Sequence, residues 1–86
     1  MSEMLTAGID VGSAAVKVAL LADREHGDAT LLSCISERIR RRDPVQVAEG
    51  AFERALAEAG LNRKDFGYIA TTGEGESIGF RTGHFY

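Results

Sequence analysis

The sequence has little of several features that would point to particular protein classes. A single cysteine, Cys34, rules out an internal disulfide framework and any zinc site that needs two or more thiolates. No apolar run approaches the roughly 20 residues that a membrane-spanning helix needs. The first four residues also lack the basic region and the following apolar stretch that are typical of a secretory signal. We therefore expect a cytoplasmic protein with no membrane partner.

Positive charge is scarce as well. Ten Lys and Arg residues against thirteen Asp and Glu residues give a formal net charge of −3. This balance argues against a protein that holds nucleic acid or an anionic membrane by bulk positive charge. The 86 residues, of which 44% are hydrophobic and 27% charged, have the proportions of one small globular domain. Disordered, collagen-like and coiled-coil classes are thereby excluded.

Three apolar segments near the start of the chain predict an antiparallel meander. Residues 5–10 and 14–21 flank a polar break at Asp10–Ser13, which is typical of two strands joined by a tight turn. The polar segment 23–28 predicts a second turn. A third strand is expected to follow over residues 29–35 or slightly beyond.

A helix is predicted between residues 44 and 59. Asp43 and Pro44 fit the cap and the first helical position, and Gln46 completes a capping box three residues after Asp43. Gly60 fits the position that ends a helix. Apolar residues recur at intervals of three and four and form one stripe, which comprises Val45, Ala48, Phe52, Ala55, Leu56 and Ala59.

Residues 68–72 predict a fourth strand, which the preceding helix makes parallel to the first. The order strand, strand, strand, helix, strand indicates an α/β unit of the ribonuclease H-like type. No linker is long enough to divide domains, so residues 1–86 are expected to form one unit. The chain stops on Phe85 and Tyr86 without a polar tail, and we expect it to be a truncated, amino-terminal part of a larger protein.

The first candidate site is the turn between the first two strands. Gly12 lets the backbone turn so that the N–H groups of Gly12, Ser13 and Ala14 point at one anion, which is how a phosphate is held. Asp10 would hold Mg²⁺ directly or through water, and Lys17 would neutralise phosphate charge. The alternative is a plain hairpin with a solvated lysine, because such short patterns recur by chance.

The second candidate site follows the fourth strand. The segment Thr71–Ser77 brings glycines and hydroxyl groups to the edge at which open α/β sheets bind ligands. If the fourth strand neighbours the first, this loop faces Asp10 and Gly12. The glycine spacing is not the dinucleotide fingerprint, so a Rossmann fold is rejected. The alternative is an ordinary glycine turn.

Other residues have simpler interpretations. Cys34 lies within a predicted strand and is expected to be a small buried side chain. His26 is expected to be solvated in a polar turn, and His84 has no assigned role. The arginine-rich segment 38–42 is interpreted as a solvated loop. The alternatives are binding of phosphate or of an acidic partner, and the more specific of these is a docking surface for a partner subunit.

The two loops together resemble the acetate kinase, sugar kinase, chaperone and actin superfamily, in which Asp10–Ser13 would match the first phosphate motif. More narrowly, GIDVGSAAVK and ATTGEGESIGFRTGHFY are similar to the amino-terminal part of the BadF/BadG/BcrA/BcrD ATPase family. These proteins are the activating subunits of benzoyl-CoA reductase and of 2-hydroxyacyl-CoA dehydratases. The closing stretch is most similar to the benzoyl-CoA reductase type.

The resemblance implies an ATPase half-lobe of the actin, sugar kinase and chaperone type, with ATP bound between two lobes and a [4Fe-4S] cluster shared at a subunit interface. It also implies an oxidoreductase component of anaerobic aromatic degradation, in which ATP hydrolysis drives low-potential electron transfer toward acyl-CoA-reducing partner subunits. Asp10 would serve Mg-ATP as the catalytic and metal-binding residue. The remaining nucleotide-binding positions would be Gly12, Ser13, Ala14, Lys17, Thr72, Gly73 and Gly75.

The resemblance also has limits. The family's cluster cysteine and second phosphate motif have no counterpart in this sequence, and Cys34 does not match the cluster position. The chain would therefore hold half of a nucleotide cleft and no cluster. We expect it not to complete ATP hydrolysis alone.

Three other function classes remain open. A ribonuclease H-like nuclease also begins with such a turn, but it needs several carboxylates, and none follows the fourth strand before Glu74. A small-molecule kinase of the same superfamily is consistent with the first loop alone. A non-catalytic fragment that only binds a partner would show no Mg²⁺-dependent nucleotide binding.

Overall fold

The computed structural model describes residues 3–24 and 27–85, so the prediction for His26 lies outside the described residues. Within these residues, five strands form one sheet in the order β3-β2-β1-β4-β5, with one α-helix packed on it. The strands are β1 (Glu3–Val11), β2 (Ala15–Arg24), β3 (Ala29–Arg38), β4 (Phe66–Gly73) and β5 (Gly83–Phe85), and the helix is α1 (Pro44–Ala59). Short 3₁₀ turns precede and follow β4, at Arg63–Asp65 and Glu74–Ser77.

The pairing of the strands confirms the predicted topology. Strands β1, β2 and β3 pair antiparallel in sequence order, as a meander does. Helix α1 carries the chain back along the sheet, so β4 pairs parallel with β1. Strand β5 pairs parallel with β4 and was not predicted, because three residues are too few to show an alternating pattern.

Helix α1 begins and ends at the predicted residues. The carboxylate of Asp43 accepts a hydrogen bond from the N–H of Val45 at 3.1 Å, one residue earlier than the capping box with Gln46 predicted. Pro44 occupies the first turn, where its missing N–H costs nothing. Gly60 ends the helix in the left-handed conformation, with φ of 71°, which glycine adopts without a steric penalty.

The hydrophobic core lies between α1 and one face of the sheet. The buried helical residues are Val47, Ala48, Ala51, Phe52, Ala55 and Leu56, while Val45 and Ala59 pack at its margin. The ring of Phe52 is fully buried, stacks on Phe80 with centroids 5.0 Å apart and meets Phe66 edge-on. Phe80, which follows the last 3₁₀ turn, therefore anchors the end of the chain to the core.

The prediction that Cys34 is buried is wrong, because the residue lies on the face of the sheet that α1 does not cover. Cys34 lies in β3 as predicted, but its side chain is exposed. Its partner in the register is Ala19, which lies between the buried Val18 and Leu20. Because side chains alternate along a strand, Ala19 and Cys34 point away from α1. Ser33, one residue earlier, is the side chain that faces the helix.

We expect Phe52→Leu to lower the free energy of unfolding by about 1–2 kcal/mol, because leucine cannot replace the ring contacts with Phe66 and Phe80. Urea denaturation followed by circular dichroism measures the change. Phe85→Leu is the matched control, since Phe85 is 53% exposed, and should change stability by less than about 0.5 kcal/mol. Equal losses in the two variants would contradict this description of the core.

The ion pairs of Glu37 are expected to stabilise the fold in a way that depends on pH. Hydrogen bonds from Arg42 and then from Arg54 of α1 lower the pKa of Glu37 below its ordinary value of 4.5. A carboxylate with a lowered folded pKa stabilises the fold above its ordinary pKa, and this contribution disappears as pH falls through the lowered value. Glu37→Gln should therefore flatten the loss of stability below pH 4.5, measured by urea midpoints across an acid series. Glu53→Gln is the control, because it replaces an exposed carboxylate on α1, the helix that also carries Arg54. The stability of this variant should change with pH as that of the wild type does.

Candidate functional site

The ends of β1 and β4 meet at one edge of the sheet. Asp10 and Thr72 are direct partners in the parallel register. Oγ1 of Thr72 donates a hydrogen bond to Oδ1 of Asp10 at 2.8 Å, and the Asp10 residue is exposed. The second predicted loop therefore faces the first, as expected.

Lys17 lies on the same face of the sheet as this pair. It is the partner of Asp10 in the antiparallel register of β1 and β2, and cross-strand partners share a face. A depression of about 280 Å³ lies between them, with Asp10, Lys17 and Thr72 at its polar positions. Its lining also includes small residues of β1, β2 and β4, namely Gly8, Ala19 and Ala70, together with Cys34 of β3.

The turn between β1 and β2 corrects one detail of the sequence interpretation. The N–H of Gly12 donates to the carbonyl oxygen of Ala15 at 2.9 Å and so closes the hairpin instead of pointing at an anion. A Cβ at Gly12 would lie 3.1 Å from that same oxygen. Gly12 therefore shapes the turn, and the two turn residues that follow it, Ser13 and Ala14, are exposed.

Gly73 and Gly75 allow the second loop to approach β1. Gly73 has a φ of 65°, and a Cβ there would lie 2.2 Å from the carbonyl oxygen of Val11, which is far inside contact distance. A Cβ at the buried Gly75 would lie 2.9 Å from Cβ of Thr71 and 3.2 Å from Cγ2 of Val11. Both glycines thus serve a close backbone approach that holds Thr72 beside Asp10.

The structure adds a polar contact that sequence reasoning missed. His84 of β5 is the register partner of Thr71, and its Nδ1 lies 2.7 Å from Oγ1 of that fully buried threonine. Thr71 faces α1 whereas Thr72 faces the depression, so this pair supports the sheet and not the Asp10 site. A three-residue strand carries too short a pattern for the sequence to reveal the contact.

The resemblance implies two inorganic groups, Mg²⁺ and a [4Fe-4S] cluster, and the described residues fit only the first. No group of three or more His, Cys, Asp or Glu side chains in residues 3–24 and 27–85 could hold a metal ion. Mg²⁺ keeps several waters and takes one or two carboxylates together with phosphate oxygens, so Asp10 alone fits Mg²⁺ bound with a nucleotide. A [4Fe-4S] cluster takes four thiolates, and the lone Cys34 does not fit it.

The fold bears on membrane association in one respect. None of the helices formed by the described residues is long and apolar enough to cross a membrane.

Comparison with known proteins identifies relatives along nearly the whole chain. Residues 7–86 match the BadF/BadG/BcrA/BcrD ATPase family. Over 83 residues the chain is 54% identical to a subunit of benzoyl-CoA reductase from Thauera aromatica, and the matched region covers 95% of this chain and 29% of that protein. The chain thus spans less than a third of the length of this relative.

Two solved structures have the same fold. Component A of (R)-2-hydroxyglutaryl-CoA dehydratase from Acidaminococcus fermentans superposes with a TM-score of 0.79 at 21% identity, over 95% of this chain and 30% of that one. The activator of 2-hydroxyisocaproyl-CoA dehydratase from Clostridium difficile, solved with bound ADPNP, gives 0.70 at 24% identity, over 95% and 29%. These structures confirm the predicted ribonuclease H-like half-lobe.

We expect Gly73→Ala to lower the free energy of unfolding by at least about 2 kcal/mol, because the new Cβ forces the loop away from Val11 in a backbone region unfavourable to alanine. Urea denaturation measures the loss. Gly79→Ala is the matched control: a Cβ there meets no atom within 4 Å, so stability should stay within about 0.5 kcal/mol of wild type. A Gly73→Ala protein as stable as the control would show that the close approach is not required.

Proposed function

The chain belongs to the BadF/BadG/BcrA/BcrD ATPase family, and we propose that it forms the first phosphate-binding lobe of an ATP-binding activating subunit. The observation that carries this proposal is the hydrogen bond between Thr72 and Asp10. It joins the two loops that sequence analysis assigned to the nucleotide, at the sheet edge where α/β folds bind ligands.

The polar groups at this edge would bind Mg²⁺ and the phosphates of the nucleotide. Asp10 would hold Mg²⁺, directly or through water, with the oxygen that Thr72 does not occupy. Mg²⁺, when bound, would offset the negative charge of the phosphates. The amides of Ser13 and Ala14 would donate to phosphate oxygens, and the ammonium group of Lys17 would add positive charge from the neighbouring strand.

The loop after β4 would orient the Asp10 carboxylate. Thr72 fixes one rotamer of the Asp10 carboxylate through its hydroxyl hydrogen bond. Gly73 and Gly75 let the loop pass close to β1 and lie near the nucleotide. A positioned carboxylate loses less conformational entropy when it binds a ligand than a mobile one does.

For the whole protein we propose a role in acyl-CoA reduction. The 54% identity to a benzoyl-CoA reductase component supports benzoyl-CoA as the acyl-CoA concerned, and the fold of the two dehydratase proteins supports an ATPase architecture. ATP hydrolysis would then be coupled to low-potential electron transfer, together with a partner ATPase subunit and acyl-CoA-reducing subunits. A [4Fe-4S] cluster of such a protein would take its ligands from outside this chain.

A nuclease is disfavoured by the residue that stands beside Asp10. Two-metal nucleases need converging carboxylates, whereas the partner of Asp10 at the end of β4 is a threonine. The first carboxylate after that strand, Glu74, is exposed beyond the sharp turn at Gly73.

Asp10→Asn is the direct test of the site. Asparagine has the shape of aspartate and still accepts a hydrogen bond from Thr72, but it lacks the negative charge that strengthens Mg²⁺ binding. Isothermal titration with Mg-ATP should show affinity reduced about tenfold or more, the loss expected for a charged interaction. Binding of ATP to the wild type should fall when EDTA removes Mg²⁺.

Lys64→Gln provides the control, since this exposed lysine lies at the opposite end of β4 from Thr72, and its affinity should match the wild type. Equal affinities of Asp10→Asn and wild type would contradict the proposed site. ATP turnover by the 86-residue chain above that of Asp10→Ala would contradict the proposal that this lobe alone is inactive.

A further inference from the structure

A second set of basic groups lies next to the β1–β2 turn. Residues 38–42, here named the arginine loop, run from the last residue of β3 toward the cap of α1. Because β2 and β3 are antiparallel, Arg38 is the register partner of Ala15, directly after the turn. The N–H of Ile39 donates to the carbonyl oxygen of Ala14 at 2.9 Å, and the Ile39 side chain is buried in the core. The arginine loop is therefore attached to the β1–β2 turn itself.

The arginine loop is held in one conformation by Arg42. Its guanidinium group donates to the carbonyl oxygens of Arg38 at 2.5 Å and Ile39 at 3.0 Å, and also to the carboxylate of Glu37 at 2.9 Å. Between these anchors Arg40 and Arg41 both have positive φ, of 50° and 67°. A backbone that residues with side chains seldom adopt is thus maintained at two consecutive exposed arginines.

The remaining arginines of the loop have no local counter-charge. Glu37 binds Arg42 and Arg54, and the carboxylate of Asp43 caps α1. Within the part of the chain that the structure describes, the guanidinium groups of Arg38, Arg40 and Arg41 have no carboxylate partner. Three positive charges without a carboxylate partner thus lie within four consecutive residues of a chain whose net charge is −3, and a local excess of one sign of charge favours an anionic ligand.

A cleft of about 550 Å³ lies between the arginine loop and the turn. One wall is formed by Ser13, Ala14 and Ala15, and the other by Arg38, Ile39, Arg40 and Arg41. Turn amides and guanidinium groups are the donors that bind phosphate oxygens, the guanidinium by paired N–H bonds. Two consecutive exposed arginines beside an exposed turn suit a ligand that presents several phosphate oxygens, so the combination favours an oligophosphate.

We propose that Arg40 and Arg41 bind an oligophosphate that lies in this cleft against the turn of Ser13 and Ala14. The terminal phosphate of ATP is one source of this chemistry, and in that case the inference rests on the proposed function. A separate oligophosphate is the other source. The basic groups of the lobe then serve two sides of one turn, with Lys17 on the sheet face and the arginines at the edge.

The test compares Arg40→Gln/Arg41→Gln with a control of equal charge change, Arg63→Gln/Lys64→Gln, whose residues lie in the 3₁₀ turn at the far end of β4. Isothermal titration uses three probes: sodium tripolyphosphate, Mg-ATP and Mg-ADP. Circular dichroism establishes that both variants are folded. We expect the arginine-loop variant to bind tripolyphosphate about tenfold or more weakly than wild type, and the control to change affinity by less than about twofold.

The nucleotide probes separate the two sources. A loss of affinity for Mg-ATP with Mg-ADP unchanged assigns the arginines to the terminal phosphate, whereas unchanged affinity for both nucleotides assigns them to a separate oligophosphate. Equal affinities of the arginine-loop variant and the control for all three probes would overturn the inference.

The same titrations distinguish the inference from the proposed function. In one outcome, binding of Mg-ATP depends on Asp10, but the arginine-loop variant binds every probe as the wild type does. This result would support the proposed function and overturn the inference. In the opposite outcome, the chain binds tripolyphosphate through the arginines but does not bind Mg-ATP. This result would support the inference and overturn the proposed function. A wild-type chain that binds none of the three probes would overturn both.

Discussion

The approach of β4 to the carboxyl end of β1 is the constraint on which the candidate site depends. The backbone at Gly73 lies so close to the carbonyl of Val11 that no Cβ fits between them. This contact brings Thr72 within hydrogen-bond distance of Asp10 and places the second glycine loop over the end of the first strand. Without it the two loops would be separate turns, and no edge with a positioned carboxylate would exist.

Helix α1 makes that approach possible. It buries its apolar stripe on the sheet and returns the chain to the edge of β1, so that β4 enters parallel and ends at the same side as the β1–β2 turn. Phe80 stacks on Phe52 after the second loop and fastens the loop to the same core. Packing on the covered face thus positions polar residues that belong to the open face and its edge.

Much of this arrangement could be predicted from local signals. The cap at Asp43, the glycine at position 60 and the apolar spacing between them predict α1 at its observed bounds. The meander followed from three apolar segments with polar breaks, and the parallel fourth strand from the connecting helix. The facing of Asp10 and the second loop then followed from topology, because parallel neighbours end at one edge.

Other features depend on register or on contacts distant in sequence, and the sequence did not reveal them. Cys34 was expected in the core, yet a one-residue difference in register decides which face a strand residue occupies. The amide of Gly12 was assigned to an anion, but hairpin closure uses it. Antiparallel pairing of β2 with β3 implies that residues 38–42 return to the β1–β2 turn. The sequence does not show this, because it does not define the last residue of β3.

By itself the sequence determined the elements, their order and the chemical types available at the loops, since these rest on periodicity, caps and turn residues within a few positions. The tertiary structure alone decided which groups meet. The hydrogen bond of Thr72 to Asp10 spans 62 positions, and the bond of Ile39 to Ala14 joins the arginine loop to a turn on another pair of strands. Such contacts arise from the alignment of strands in the sheet, which only the packed core of α1 against β1, β2 and β3 establishes.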